Sequence, residues 1–452
     1  MIVFLIGLLR NTRANVAMIF ALAAFPLVFM TGMAIDYTVA SDKQAQLNGF
    51  ADAAALAAVT PNMMGQSNTA AQTAAQNTFN AQAAALSGVT YATKNLTVTI
   101  NTTAGGTRTA NVAYTAAAPT FFSGILGMSQ INLAGGATAT GGLPPNIDFY
   151  LLLDDSPSMG IAATPSGIQT MVNNTSAQGG CAFACHETHP STDNLGNPGG
   201  IDNYQLSKNL GVTLRIDLVR QAAQNLMTTA TTTMATTKSA YRMGIYTFDV
   251  GINTIQSLTT NLTTASTAAG NISMMTVYSN NWLTSSNNNS DADTNFDAAF
   301  TGINTIMPNP GSGTNTAGDT PQEVLFLVTD GVEDEVVSKS GGNCPSITST
   351  KGSAMSIGST CRQQSLININ PDWCTTIKNR GIRIAVLYTT YYPLPTNSWY
   401  VSYVAPFQAS ISPTLQTCAS PGLFFEVDTG GDISAALSAL FQQALQSAYL
   451  SQ

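Results

Sequence analysis

The run Val16–Ile35, VAMIFALAAFPLVFMTGMAI, holds twenty positions without a charge. At 1.5 Å rise per residue it makes about 30 Å of helix, the thickness of the hydrocarbon core of a bilayer. Such a segment either spans a membrane or is a signal peptide that is removed. Its length exceeds a usual signal-peptide h-region, which favours the anchor. Arg10 and Arg13 precede it and Asp36 follows it. The positive-inside bias then places the short N-terminus in the cytoplasm and everything after Asp36 outside, a single-pass, N-in arrangement. Pro26 is compatible with a span, because Pro is tolerated in membrane helices. Past Asp36 the apolar pattern continues through Leu47, Phe50, Ala54, Leu56 and Val59 until Thr60-Pro61 stops it. One helix is therefore expected to run out of the bilayer.

Composition agrees with export. Charged residues are 9% of the 452 positions, where an ordinary domain carries about 25%. Sixteen Lys+Arg against 24 Asp+Glu give a net charge of -8, with no basic run to neutralise phosphates, so nucleic acid is excluded as an expected partner. The six Cys all lie between Cys181 and Cys418; in an exported chain they read as bridges before they read as catalysts.

Three regions follow: 1–61, the cytoplasmic stub, membrane helix and its continuation; 62–145, a small domain; and 146–452, a large one. In the small domain Gln72 to Leu86 has a helical pattern. Leu96, Val98 and Ile100 alternate with polar neighbours, as do Ala110, Val112 and Tyr114 across a turn at Gly105-Gly106, which predicts an α+β unit. Gly141-Gly142-Leu143-Pro144-Pro145-Asn146 marks the boundary. Beyond it, apolar runs alternate with helical patterns, as in a doubly wound α/β sheet. Strands are predicted at Ile147–Leu153, Tyr241–Phe248, Glu323–Thr329, Ile382–Tyr388 and Leu423–Val427, with an edge strand at Gly251–Ser257. Helices are predicted at Leu214–Met234, Asn295–Met307, Asp372–Asn379 and Asp432–Leu450.

Ligands in such sheets bind outside the C-terminal strand ends, and the candidate chemistry sits there. The first strand ends in Asp154-Asp155-Ser156-Pro157-Ser158, a D-x-S-x-S turn. The strand V-L-F-L-V-T-D-G ends in Asp330, and Thr294 opens the helix between them. D-x-S-x-S alone also recurs in Ser-rich sequence as a turn cap. Joined by Thr294 and Asp330, it becomes an all-oxygen metal pattern: Asp154, Ser156, Ser158, Thr294 and Asp330. Two carboxylates and three hydroxyls suit a hard cation, Mg²⁺ or else Mn²⁺ or Ca²⁺, with coordination positions left open. Asp155, Asp249, Asp291 and Asp297 read as solvated or capping groups, and Glu333-Asp334-Glu335 as a solvated acidic face rather than a second site.

These residues resemble a von Willebrand factor A domain with its metal-ion-dependent adhesion site (MIDAS), over about Asn146 to Ala448. The resemblance implies a Rossmann-like fold, direct metal ligation by the hydroxyls, and a shell completed by a Glu or Asp of a partner protein. The N-terminal region, with Arg13 ahead of N-V-A-M-I-F-A, Pro26, G-M-A-I-D ending at Asp36, and D-A-A-A-L-A-A, resembles the TadE/TadG-like proteins of tight-adherence (Flp-type) pilus assembly. That resemblance implies a pilin-like small domain and a bacterial inner-membrane location for residues 16–35.

About fifty residues between Gly160 and Leu214, and about forty between Gly331 and Pro371, lack clear periodicity. Loops so long are functional or disordered. The first holds Cys181, Cys185, His186 and His189, which leave a small disulfide loop, a zinc site, or neither as readings. Cys344 and Cys361 would close the second insertion, and Cys374 then pairs with Cys418, one of three connectivities open to four Cys.

The function implied is an exported, membrane-anchored component of pilus assembly, or a minor pilus-associated protein, binding proteins through a divalent cation. The alternative is a surface adhesin that uses the same domain to bind an external ligand. An enzyme is not expected: Ser156 lies in no G-x-S-x-G elbow, and no Walker A loop exists.

Overall fold

The computed structural model describes residues 12–103, 106–142, 144–280, 291–314, 317–367, 372–428 and 431–450. Arg10, Gly105, Leu143 and Pro371 lie outside the described residues, and so does the side chain of Arg13. The chain divides into two compact units, Met1–Leu143 and Pro144–Gln452.

In the first unit a single helix α1, Thr12–Ala58, contains Pro26. Its two halves differ in what surrounds them. Val16, Ile19, Phe20, Leu22, Phe25, Leu27, Val28 and Met30 are each more than 60% exposed, an apolar surface that water does not favour. Further along, Ala51, Ala54, Ala55 and Ala58 are buried at helical spacing. Their small side chains let α2, Asn68–Ala84, approach closely. The sheet below is antiparallel: β1, Leu96–Thr102, β2, Thr107–Pro119, and β3, Gln130–Gly142. Leu96 pairs with Tyr114 and Val98 with Val112, so the expected alternation points into one core. Phe79 fills it, with its ring centroid 5.4 Å from those of Tyr91 and Tyr114. Arg108 is buried and donates to the carbonyls of Met63 and Gln66, tying β2 to the chain that follows α1.

The second unit has a six-stranded sheet. Its strands are β4, Ile147–Asp154, β5, Tyr241–Phe248, β6, Ile252–Thr259, and β7, Gln322–Thr329. The insertion strands β8, Val332–Ser338, β9, Gly352–Ile357, and β10, Thr360–Leu366, come next. The chain returns to the large sheet with β11, Arg383–Thr389, and β12, Phe424–Val427. The order β6-β5-β4-β7-β11-β12 is a doubly wound arrangement, with all pairs parallel except the β5–β6 edge. Winding reverses between β4 and β7, which makes the crevice at their C-terminal ends the place for a ligand.

Helices cover both faces. Phe149, Leu151 and Leu153 point to a core with α3, Arg215–Thr237, α4, Leu262–Ala269, and α7, Ile433–Leu450. Tyr150 and Leu152 point to another with α5, Phe296–Ile306, and α6, Trp373–Asn379. Burial on both faces is why β4 reads as the apolar run Phe149–Leu153.

The insertions correct the expectation of long irregular loops. The second is a three-stranded antiparallel sheet in the order β8-β10-β9. The first carries helices at Pro165–Asn174 and Asn203–Asn209, and its His186–Glu187 pairs with Thr276–Val277. Hydrophobic periodicity does not report β8 and β10, because the side chains they bury include Glu333, Asp334, Arg362 and Gln364.

Candidate metal centre

Four of the five predicted donors meet at the crevice. Asp154 ends β4 fully buried. Its Oδ1 accepts from the Ser156 backbone N at 3.1 Å and from Ser156 Oγ at 2.6 Å, and its Oδ2 from Thr329 Oγ1 at 2.6 Å. The Ser156 hydroxyl thus gives its proton to the carboxylate and keeps its lone pairs. Ser158 Oγ lies 3.1 Å from Ser156 Oγ. Asp330, also fully buried, accepts from Val332 N at 3.3 Å. The next residue, Gly331, has φ +78°, and a Cβ there would stand 2.5 Å from Cγ2 of Ile411, which accounts for the Gly of T-D-G.

The fifth residue, Thr294, is held by its backbone. Thr294 N donates to Asp334 O at 2.8 Å, and Asp334 N to Thr294 O at 3.0 Å. It lines, with Ser158, a cavity of about 410 Å³ to which Trp399, Tyr391 and Arg362 also contribute. Burial raises the carboxyl pKa of Asp154 above its ordinary value, and the neighbouring Asp330 raises it further. Burial also raises Asp330. Two buried carboxylates with hydroxyl neighbours are a donor set short of positive charge, and such a set fits a hard divalent cation.

One member of the site is absent from the sequence reading. Arg215, the first residue of α3, is fully buried, with Nη1 3.2 Å from Asp330 Oδ2. Nη2 donates to Thr390 O at 2.9 Å, and the guanidinium lies 5.2 Å from the Tyr391 ring centroid. Nothing local in L-R-I-D-L-V-R separates this Arg from an ordinary solvated one, since its partner is 115 positions away.

Of the acidic residues expected as solvated or capping groups, Asp155, Asp291, Glu333 and Asp334 are buried, while Asp249, Asp297 and Glu335 are half-buried. Asp334 accepts from Arg362 Nη2 at 2.6 Å and Nε at 2.9 Å, and Asp291 lies 3.6 Å from Arg362 Nη1. Glu333 accepts from Phe296 N at 3.1 Å and Ser365 Oγ at 2.9 Å; a carboxylate there serves the free N–H groups that open α5. Asp155 is buried too, with Oδ1 unpartnered among the described residues. Asp249 does cap a turn, accepting from Gly251 N at 3.2 Å and Asn253 Nδ2 at 3.0 Å, and Asp297 is half-buried in the first turn of α5.

Among the described residues the Cys-His cluster holds neither a bridge nor a group placed for zinc. Cys181 and Cys185 are free. Their sulfurs face Phe183 O and Asn280 Oδ1 respectively. His186 stacks on Tyr204 and bonds Asp202, while His189 stacks on Tyr278. Among the described residues no group of three or more His, Cys, Asp or Glu is placed to hold a metal ion. Burial pushes the Cys181 thiol up to about 11, which makes it a poor nucleophile. The other four Cys form Cys344–Cys361 and Cys374–Cys418.

Two carboxylates away from the crevice set a pH dependence. Burial, with Asp148 adding to it, pushes Glu323 up to about 8, and burial with Asp193 and Asp202 does the same for Glu187. Between the ordinary Glu value of 4.5 and 8 the native state holds protons that the unfolded chain has released, so stability falls as pH rises through that window. With chelator present, Tm is expected to be higher at pH 5 than at pH 8.5, and Glu323→Gln to flatten the slope. A Tm that rises with pH across this range would contradict the assignment.

Residues 14–60 match the family described as putative Flp pilus-assembly TadE/G-like. No curated protein matches the chain. Solved structures that resemble it include the von Willebrand factor domain of the type V pili tip protein Mfa5 from Porphyromonas gingivalis, 11% identical over 69% of this chain and 97% of that one, TM-score 0.33. The conserved hypothetical protein BatB from Bacteroides thetaiotaomicron is 10% identical over 67% of this chain and 100% of its own, TM-score 0.33. The pilus adhesin SpaC from Lactobacillus rhamnosus GG is 12% identical over 78% of this chain and 34% of its own, TM-score 0.34.

Proposed function

We propose that this is a pilus-associated protein, anchored by residues 16–35 in a bacterial inner membrane with its N-terminus inside. In this reading its large unit binds a divalent cation through Asp154, Ser156, Ser158, Thr294 and Asp330 and a partner protein through that cation. The N-terminal match supports the pilus context. The observation that carries the binding reading is the convergence of two fully buried carboxylates and two serine hydroxyls where the winding of the sheet reverses.

A bound cation supplies a positive centre. Two carboxylates less the Arg215 guanidinium leave the protein's own groups one negative charge, so a divalent ion there stays under-neutralised and attracts a carboxylate from outside. Binding is favoured over hydrolysis because Ser156 donates to a carboxylate, while His186 and His189 stack on tyrosines and bond Asp202 and Thr188.

Calorimetric titration of the full-length protein in detergent micelles with Mg²⁺ and with Mn²⁺ tests this. One saturable site is expected, weakened at least tenfold, about 1.4 kcal/mol, in Asp154→Asn and in Thr294→Ala. Absence of binding by a folded wild type, or equal binding by both variants, removes the metal from the proposal.

A further inference from the structure

We infer that the turn between β2 and β3 is a second membrane contact, with Phe121, Phe122, Ile125 and Met128 seated in the lipid beside the last apolar turns of α1. This rests on the reading of residues 16–35 as a span.

The turn is tied to the helix where the apolar run ends. Asp36 is 4% exposed. Its Oδ1 accepts from Phe121 N at 3.0 Å, and its Oδ2 from Phe122 N at 3.0 Å, Ser123 N at 2.7 Å and Ser123 Oγ at 2.8 Å. Four donors of the turn thus satisfy the one carboxylate at the edge of the span, a site where an unsatisfied charge is costly.

The turn also folds back along the apolar half. A Cβ on Gly32 would lie 2.4 Å from Cγ of Phe122, so the ring rests on bare helix backbone. Phe122 lines a groove of about 340 Å³ with Leu27, Val28, Thr31, Gly32 and Ile35. Gly32 precedes Asp36 by four residues, about 6 Å along the axis. The tip therefore overlaps the stretch that would occupy hydrocarbon rather than standing clear of it.

The chemistry of the tip matches that depth. Thr120 to Ser129, TFFSGILGMS, has no charged residue, and Phe121 is 79% exposed, Ile125 72% and Met128 51%. So many large apolar side chains on one short turn mark a binding surface. Its continuity with the exposed apolar face of α1 makes acyl chains the occupant. Such an attachment would fix the β-sheet close to the bilayer instead of leaving the helix as the sole tether.

Full-length protein reconstituted in phosphatidylcholine–phosphatidylglycerol vesicles with brominated acyl chains tests this, read as tryptophan quenching beyond that of the wild type. Ile125 is exposed, so Ile125→Trp leaves the core untouched; Leu27→Trp reports the span and Thr69→Trp, exposed on α2, the aqueous side. Added fluorescence quenched at least twofold for Ile125→Trp and Leu27→Trp, and unquenched for Thr69→Trp, is the expected result. Quenching at Leu27→Trp alone overturns the inference and leaves the anchor standing. Quenching at neither removes the anchor and the inference with it. A blue-shifted but unquenched Ile125→Trp means that protein covers the tip, which also overturns it.

Discussion

Replacing Arg215 by methionine is expected to destabilise the large unit by about 3–5 kcal/mol, the usual cost of removing one partner from a buried ion pair. The substitution keeps most of the volume of a fully buried side chain and removes the charge that faces Asp330 at 3.2 Å. What remains is a carboxylate without a counter-charge, close to a second one at Asp154. Adding Asp330→Asn is expected to recover most of the loss, because a neutral amide needs no counter-charge; that non-additivity separates the charge effect from lost packing. Urea unfolding with chelator present, followed by tryptophan fluorescence, reads the right unit, since all three Trp of the chain, Trp282, Trp373 and Trp399, belong to it. Saturating Mg²⁺ is then expected to stabilise the Arg215→Met protein more than the wild type, as the cation takes over the missing charge. About 2.7 kcal/mol is available at a hundred times Kd. A cost under about 1 kcal/mol in chelator would mean that Asp330 does not depend on Arg215.

This dependence also bears on the proposed cation site. Arg215 on one side and the hydroxyls of Ser156 and Thr329 on the other hold the two carboxylates in place. In the proposed reading the site is organised before any ion arrives, so less of the binding energy would go into ordering it. Thr294 is the exception, because it reaches the cavity on a segment whose backbone is paired to the insertion strand β8.

Much of the large unit was legible because its strands bury both faces: the eight residues of β4 are all buried, and the apolar run Phe149–Leu153 followed by D-x-S-x-S leaves little room for another reading. The turns named their own strand ends, since Asp, Ser and Gly there are required by capping and by a positive φ at Gly331. What escaped were features that depend on distant partners. Arg215 acquires its role only when folding brings Asp330 to it, and Glu333 and Asp334 look solvated until Phe296, Ser365 and Arg362 close around them. Strand β3 escaped for a different reason: Leu133 is its one fully buried residue, so pairing with β2 rather than a hydrophobic face defines it.

Of the two bridges, Cys374–Cys418 is expected to matter more to stability. It closes 44 residues where Cys344–Cys361 closes 17, and the loop-entropy relation gives about 4 kcal/mol for the first and about 3 for the second. Location widens the gap. Cys374 and Cys418 are both buried in the core under β11 with Ile377 and Leu415, so the bridge joins α6 to the helix Ile411–Cys418 across the sheet's flank. Cys344–Cys361 ties the insertion to its own strand β10. The Cys374→Ala/Cys418→Ala protein is therefore expected to lose Tm throughout the large unit. The Cys344→Ala/Cys361→Ala protein is expected to show early proteolytic cleavage within 339–351 and a smaller loss of Tm. Equal Tm losses with no difference in cleavage would mean that the insertion is not a separately stapled element. A wild-type Tm unmoved by reductant under denaturing pre-treatment would mean that the chain-entropy account does not describe either bridge.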